Sequence, residues 1–193
     1  MSKKTYVLPS DKQLDKNVDL LTKDKEAELT LCGILLEGFP VEREAWLDTF
    51  YRVRVSLGPG KDVVEVITPG KVLKNIRNYT GKHVVLKCKM FSKSNGVRAK
   101  AYIMAKEAMP SKEKEFINTV SMDGFVLSAP ETRRGVARFP MMIPHYSGIH
   151  NVFSCLCDAN LIATHKIKYG TQLQPSGRLV CTDDGYMIEV NKL

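Results

Sequence analysis

The segment 48–68, DTFYRVRVSLGPGKDVVEVIT, constrains the fold more than any other stretch. Tyr51, Val53, Val55 and Leu57 alternate with Phe50, Arg52, Arg54 and Ser56, so a strand here sorts the two sets onto opposite faces. Gly58-Pro59-Gly60 supplies a tight turn, and Val63, Val64, Val66 and Ile67 supply a return strand. The apolar face suits a core. The other face, arginines beside an aromatic ring, suits either a solvated sheet surface or one that holds a polyanion carrying bases.

The same plan occurs twice. A first strand over 28–35 is interrupted by Gly33, which marks a bulge or bend, and the hairpin follows. A short helical stretch from Lys71 to Tyr79 ends at Gly81. Two more strands, 84–89 and 97–104, flank the turn Ser94-Asn95-Gly96. The second copy reads 117–126 with Gly124, then 136–145 and 151–157. A helix over 159–166, a stop at Gly170, and strands 173–181 and 186–190 around Asp183-Asp184-Gly185 complete it. Gly33 and Gly124 are 91 positions apart, Gly81 and Gly170 are 89, and Gly96 and Gly185 are 89. A period held this closely is a repeat. The order predicts a mainly β chain of two tandem OB-fold five-stranded Greek-key barrels, each with a short helix between strands 3 and 4. The polar segment 105–114, with Pro110, reads as the connection. The expected division is a basic N-terminal arm over 1–25, one barrel over 26–108, a linker over 109–115 and a second barrel over 116–193. Pro140 and Pro144 each lack a ladder donor, which predicts an edge or distorted strand there.

The charge is consistent with an anionic partner: 29 Lys+Arg against 21 Asp+Glu give +8 over 193 residues. Nucleic acid is the first expectation and an anionic membrane surface the second. No stretch is apolar and long enough to span a bilayer, and MSKKTYVLPSDK lacks the apolar centre of a signal peptide, so a cytoplasmic protein is expected. Cys32, Cys88, Cys155, Cys157 and Cys181 read as reduced, mostly buried thiols. Cys155 and Cys157 share a strand face, but no second Cys/His pair stands at ligand spacing, so neither a metal nor a cofactor is expected. A Walker loop, a nucleophile elbow and a His-Glu-x-x-His helix are all absent from the sequence. Asp62, Asp183 and Asp184 sit in turns, where aspartate is favoured for its backbone hydrogen bonds. The expectation is a binding protein, not an enzyme.

The second copy resembles bacterial single-stranded DNA-binding proteins. The resemblance rests on Asn118-Thr119-Val120-Ser121-Met122-Asp123-Gly124, on Pro130-Glu131-Thr132-Arg133 and on Phe139-Pro140-Met141-Met142-Ile143. It extends through Phe153-Ser154-Cys155-Leu156-Cys157 and the run from Gly170 to Gly177-Arg178-Leu179. The chain after residue 25 resembles the tandem two-barrel members of that family found in some Gram-positive bacteria and their mobile elements, which end in a strand close to Met187-Ile188-Glu189-Val190-Asn191-Lys192-Leu193. The resemblance implies sequence-tolerant binding of single strands in replication, recombination or a mobile-element process. It also implies a homodimer, since single-barrel members assemble four barrels. Asp158-Ala159 takes the place where family members carry Trp-Gly, and the sequence has no glycine-rich tail with an acidic tip. Both departures favour a rival reading, a protein-docking module on the same fold. An RNA-binding OB protein is a third.

Strands two and three of an OB barrel, with the loops at their ends, usually face the ligand. In the first copy the candidates are Arg43, Trp46, Phe50, Arg52 and Arg54, with Lys89, Phe91, Lys93 and Arg98 on the second hairpin. In the second copy they are Arg133, Arg134, Arg138, His145, Tyr146 and Arg178. Phe91 and Tyr102 read more readily as core side chains than as ligands. Trp46 also suits a barrel cap, Arg133 and Arg134 a solvated loop, His145 a plain loop position and Tyr146 a contact between barrels.

Overall fold

A computed structural model describes residues 27–40, 50–94, 99–144, 150–183 and 185–193. The first half holds β1 (Ala27–Pro40), β2 (Phe50–Ser56), β3 (Val63–Pro69), the one-turn helix α1 (Gly70–Leu73), β4 (His83–Ser94) and β5 (Ala99–Pro110). The second half begins with β6 (Ile117–Ser121), β7 (Gly124–Val126), β8 (Glu131–Arg133), β9 (Val136–Ile143) and β10 (Asn151–Asp158). It continues with α2 (Ala159–Thr164), β11 (Gln172–Leu173), β12 (Ser176–Thr182) and β13 (Gly185–Lys192).

Pairing in the first half runs β1 to β2, β2 to β3, β3 to β5 in parallel, β5 to β4, and β4 back to β1. The second half repeats the circuit as β7, β9, β10, β13, β12 and β6, again with one parallel step, between β10 and β13. β6 and β7 together act as its first strand. This is the strand order of the OB-fold, with a helix after the third strand. Each circuit closes over alternating apolar side chains. Leu29, Leu31, Val53, Val55, Val64, Val66, Leu86 and Ile103 are buried in the first half; Val120, Phe139, Phe153, Cys155, Leu179 and Ile188 are buried in the second.

The two halves are equivalent in detail. The Leu35 N–H bonds the Lys82 carbonyl at 3.0 Å and its carbonyl accepts from Gly81 at 2.7 Å. In the other half the Val126 N–H bonds the Thr171 carbonyl at 3.0 Å, and its carbonyl accepts from Gly170 at 2.8 Å. The halves join through antiparallel pairing of β1 with β6, in the register Glu28 to Ser121, Leu29 to Val120 and Thr30 to Thr119. The 91-residue offset maps Leu29 onto Val120, its own partner, and maps Glu28 onto Thr119, the partner of Thr30. A local two-fold axis therefore passes between Leu29 and Val120.

The same axis relates a reciprocal clasp. The Ser92 N–H donates to Asn151 Oδ1 at 2.7 Å, and the Val152 N–H donates to Ser92 Oγ at 2.6 Å. Across the axis the Cys181 N–H donates to Asp62 Oδ2 at 3.3 Å, and the Cys181 thiol reaches the Val63 carbonyl at 4.0 Å. Cys181 is Ser92 displaced by 89 positions, and Asn151 is Asp62 displaced by 89. Each half thus rests its fourth-strand hairpin on the third strand of the other.

One expectation changes and another resolves between its two alternatives. Residues 105–110 are not connection but the second half of β5, with Ala105 and Ala108 buried and paired against β4. Small alanines fill the inward positions where a larger apolar residue would have signalled a strand, and Pro110 sits at the strand end, where no further donor is needed. Pro140 lies in the interior of the sheet, not at an edge, between β10 and the β7/β8 side of β9. Its carbonyl accepts from the Leu127 N–H at 2.9 Å, so its nitrogen faces the same way, towards Leu127, where any residue but proline would return a second bond; the β7 pairing stops at Val126, and the expected distortion is this break in the ladder between β8 and β7.

Burial gives the fold an alkaline limit. Burial pushes the Cys88 thiol up to about 12, and burial together with the neighbouring Asp62 carboxylate pushes Cys181 up to about 11. The unfolded thiols ionise near their ordinary value of 9.0. Below that pH both states hold the proton and these groups take nothing from stability. Above it only the unfolded chain ionises, so stability falls as pH rises towards the folded values. The urea midpoint is expected to drop between pH 9 and 11, less so in Cys88→Ala than in the parent chain; an equal fall in both would exclude this cause.

Candidate nucleic-acid interface

The alternation of β2 fixes the front of the first half. Val53 and Val55 point into the core, which turns Phe50, Arg52 and Arg54 outwards, as the sequence predicts. Phe50 is half-buried; both arginines are exposed and both are paired. Arg52 Nε lies 3.0 Å from Glu65 Oε1 of β3, and Arg54 Nη1 lies 2.7 Å from Glu37 Oε1 of β1, its direct neighbour across the ladder. Exposed pairs of this kind are worth at most about 1 kcal/mol each, so a phosphate can compete for them.

The outer face continues across β3 to β5 and β4. Inward Met90, Ala101 and Ile103 are buried, which places Phe91, Tyr102 and Met104 outside. Phe91 and Tyr102 stand directly opposite in the ladder and stack, with ring centroids 5.5 Å apart and planes 15° from parallel. Lys100 Nζ lies 5.8 Å from the Tyr102 ring centre, and Lys89 shares this face. The reading of Phe91 and Tyr102 as core is therefore corrected. Tyr102 was absent from the candidates, yet the signal is in the sequence: Ala101, Ile103 and Ala105 alternate with it, so the small residues face in and the ring faces out.

The second half presents a different surface. β8 and β9 form a ribbon whose two-residue turn, Arg134-Gly135, has φ of 51° and 79°. Exposed Glu131, Arg133, Val136 and Arg138 share its outer face. Among the described residues Arg133, Arg134 and Arg138 make no ion pair. Arg178 does: its Nε lies 2.6 Å from Glu189 Oε2, and that hydrogen bond and charge raise its pKa. Next to the ribbon, Val136, Leu156 and Leu161 with Asp158 and Asn191 line a shallow groove of about 480 Å³. Phe139 and Phe153 point into the core.

Several candidates lie outside the described residues: Arg43, Trp46, Arg98, His145, Tyr146 and the arm. For Lys93 only the backbone register, opposite Lys100, is described. Asn118, from the motif that carries the family resemblance, has a structural task. Its Oδ1 accepts from the Leu179 N–H at 3.0 Å and its Nδ2 donates to the Leu179 carbonyl at 2.8 Å, tying β6 to β12. Asp158, where the family has tryptophan, caps α2 by accepting from the Asn160 N–H at 2.7 Å. Among the described residues no three His, Cys, Asp or Glu side chains gather to hold a metal, and no helix is long and apolar enough to cross a membrane.

The chain is a mainly β protein with OB-fold connectivity. Its fold is similar to that of the wild-type single-stranded DNA-binding protein from Thermus aquaticus, with a TM-score of 0.66 and 12% identity over 88% of this chain and 92% of that one. A deletion mutant of the same Thermus aquaticus protein superposes with a TM-score of 0.65 and 13% identity, over 88% of this chain and 93% of the other. No family model and no curated protein matches the sequence.

Proposed function

We propose that this protein binds single-stranded DNA with little sequence preference, by stacking bases on aromatic rings and pairing phosphates with arginine and lysine. It acts without catalysis, in replication, recombination or a mobile-element process, and assembles as a homodimer. The observation that carries the reading is the stacked pair Phe91 and Tyr102 on an outer sheet face continuous with Phe50, Arg52 and Arg54. Flat rings on an outer face, even half-buried ones, accept any base, and cations beside them accept phosphate, so the pairing of the two suits a strand whose sequence varies. The fold similarity to the Thermus aquaticus protein supports the same reading at the level of architecture.

A titration with a thirty-residue oligothymidylate at low and moderate salt tests it. Binding should saturate at low salt and weaken steeply as salt is added, because each phosphate contact releases counterions. The variant Glu37→Gln/Glu65→Gln, which frees Arg54 and Arg52 from their carboxylates, should bind several-fold more tightly, with a steeper salt dependence. Absence of binding at low salt sinks the proposal and favours a protein-docking module. Preference for the matched RNA strand would shift it to RNA.

A further inference from the structure

The two halves share one fold and one interface, yet their outer faces differ in chemistry. The first half carries the stacked Phe91 and Tyr102 pair, and its strand arginines Arg52 and Arg54 are engaged by Glu65 and Glu37. In the second half, among the described residues, the outer faces of β9, β10 and β13 present no ring; half-buried Phe125 of β7, opposite Met142 and Gln172, and exposed Tyr169 in the turn before β11 lie off those strands. What this half presents is Arg133, Arg134 and Arg138, exposed and without an ion pair among the described residues, with Glu131 the one carboxylate on the ribbon.

Arg134 extends this set to the ribbon's turn. With Gly135 it makes a two-residue turn in which both positions have positive φ, a conformation that favours asparagine or glycine. Arg134 thus puts a third guanidinium at the tip of the ribbon that carries Arg133 and Arg138.

We propose that the halves divide the ligand between them: the first half holds bases by stacking, and the β8–β9 ribbon of the second holds the sugar-phosphate backbone of the same strand without stacking. This rests on the single-strand reading above and specifies it. A strand then lies base-inward over β4 and β5 of one half and phosphate-inward over the ribbon of the other. Phosphate contacts carry salt dependence but no dependence on the base, whereas stacking carries the reverse.

Two probes separate the contributions: a thirty-residue oligothymidylate and an abasic strand of the same length. In the full chain, Arg133→Gln/Arg134→Gln/Arg138→Gln should weaken both probes by the same factor, tenfold or more, and lower the salt slope by about 2, from roughly 0.7 per single-strand phosphate. Phe125→Ala should change neither probe. Phe91→Leu/Tyr102→Leu, which keeps apolar bulk on the strands, should weaken oligothymidylate only. An unchanged salt slope in the arginine variant, a loss confined to the base-bearing probe, or a Phe125 loss as large as the Phe91 and Tyr102 loss overturns the division. So does failure of the parent chain to bind the abasic strand. Failure of the parent chain to bind oligothymidylate removes the single-strand reading itself, a distinct result.

Discussion

Gly177→Ala is expected to cost about 3 kcal/mol, at the upper end for overpacking a filled interior. The loss should appear as a thermal midpoint lower by roughly 6–12 °C for a chain of this size, read by far-ultraviolet circular dichroism. Gly177 follows a register shift in β12, and a methyl there would land on the Glu189 carbonyl oxygen. The Glu189 carbonyl carbon would be 2.8 Å away and the Val190 Cα 2.9 Å. Every obstructing atom is backbone of β13, so relief requires the β12–β13 ladder to move, and no side chain can rotate aside. Gly33 and Gly124 face the same obstacle at equivalent places, against the Ser56 and Met142 carbonyls. Gly60→Asn makes the control: its φ is 64°, which asparagine tolerates, and nothing lies within 4 Å. A Gly177→Ala midpoint within a degree or two of the parent would show that the two strands are not held at this separation.

Phe91→Ala/Tyr102→Ala should reduce affinity for oligothymidylate about 10- to 100-fold at a fixed salt concentration, since stacking is worth about 1–3 kcal/mol per base. The salt slope should stay unchanged, because no phosphate partner is removed. The two rings stack on each other in the free protein, so removing one leaves the other with an exposed face but no support. Single variants are therefore expected to lose nearly as much as the double, and the sum of the two single effects should exceed the double effect. Equal affinity of the double variant and the parent, with an unaltered melting curve, would place base contact elsewhere on the surface.

How much of this was legible in the sequence follows from the range over which each signal acts. The alternation Tyr51, Val53, Val55 against Phe50, Arg52, Arg54 is a local property, and the structure sorts the two faces as the pattern requires. The turn glycines Gly81 and Gly170 recur because each closes the same pair of hydrogen bonds in its half. The ion pairs of Arg52 and Arg54 were invisible, since they depend on which residues oppose each other across β1, β2 and β3. The pairing of β1 with β6 was invisible for the same reason: strand edges carry no mark of a partner about 90 residues away. The full length of β5 was missed because alanine fills its inward positions. The place of Tyr102 was missed because a tyrosine in a strand fits a core or a surface equally well until the opposite face is known.

The axis between Leu29 and Val120 has a directional consequence. A two-fold rotation reverses any line that crosses it at right angles, and a nucleic-acid strand has a 5′ and a 3′ end. A strand drawn straight from one half to the other therefore meets the second half end for end, however alike the two folds are. A stack of rings set for one polarity would be misaligned for the other, whereas guanidinium groups grip phosphates whichever way the sugars run. With both copies in one chain the shared sheet keeps its symmetry while the two outer surfaces are free to differ, as the ring pair of one and the guanidinium ribbon of the other do.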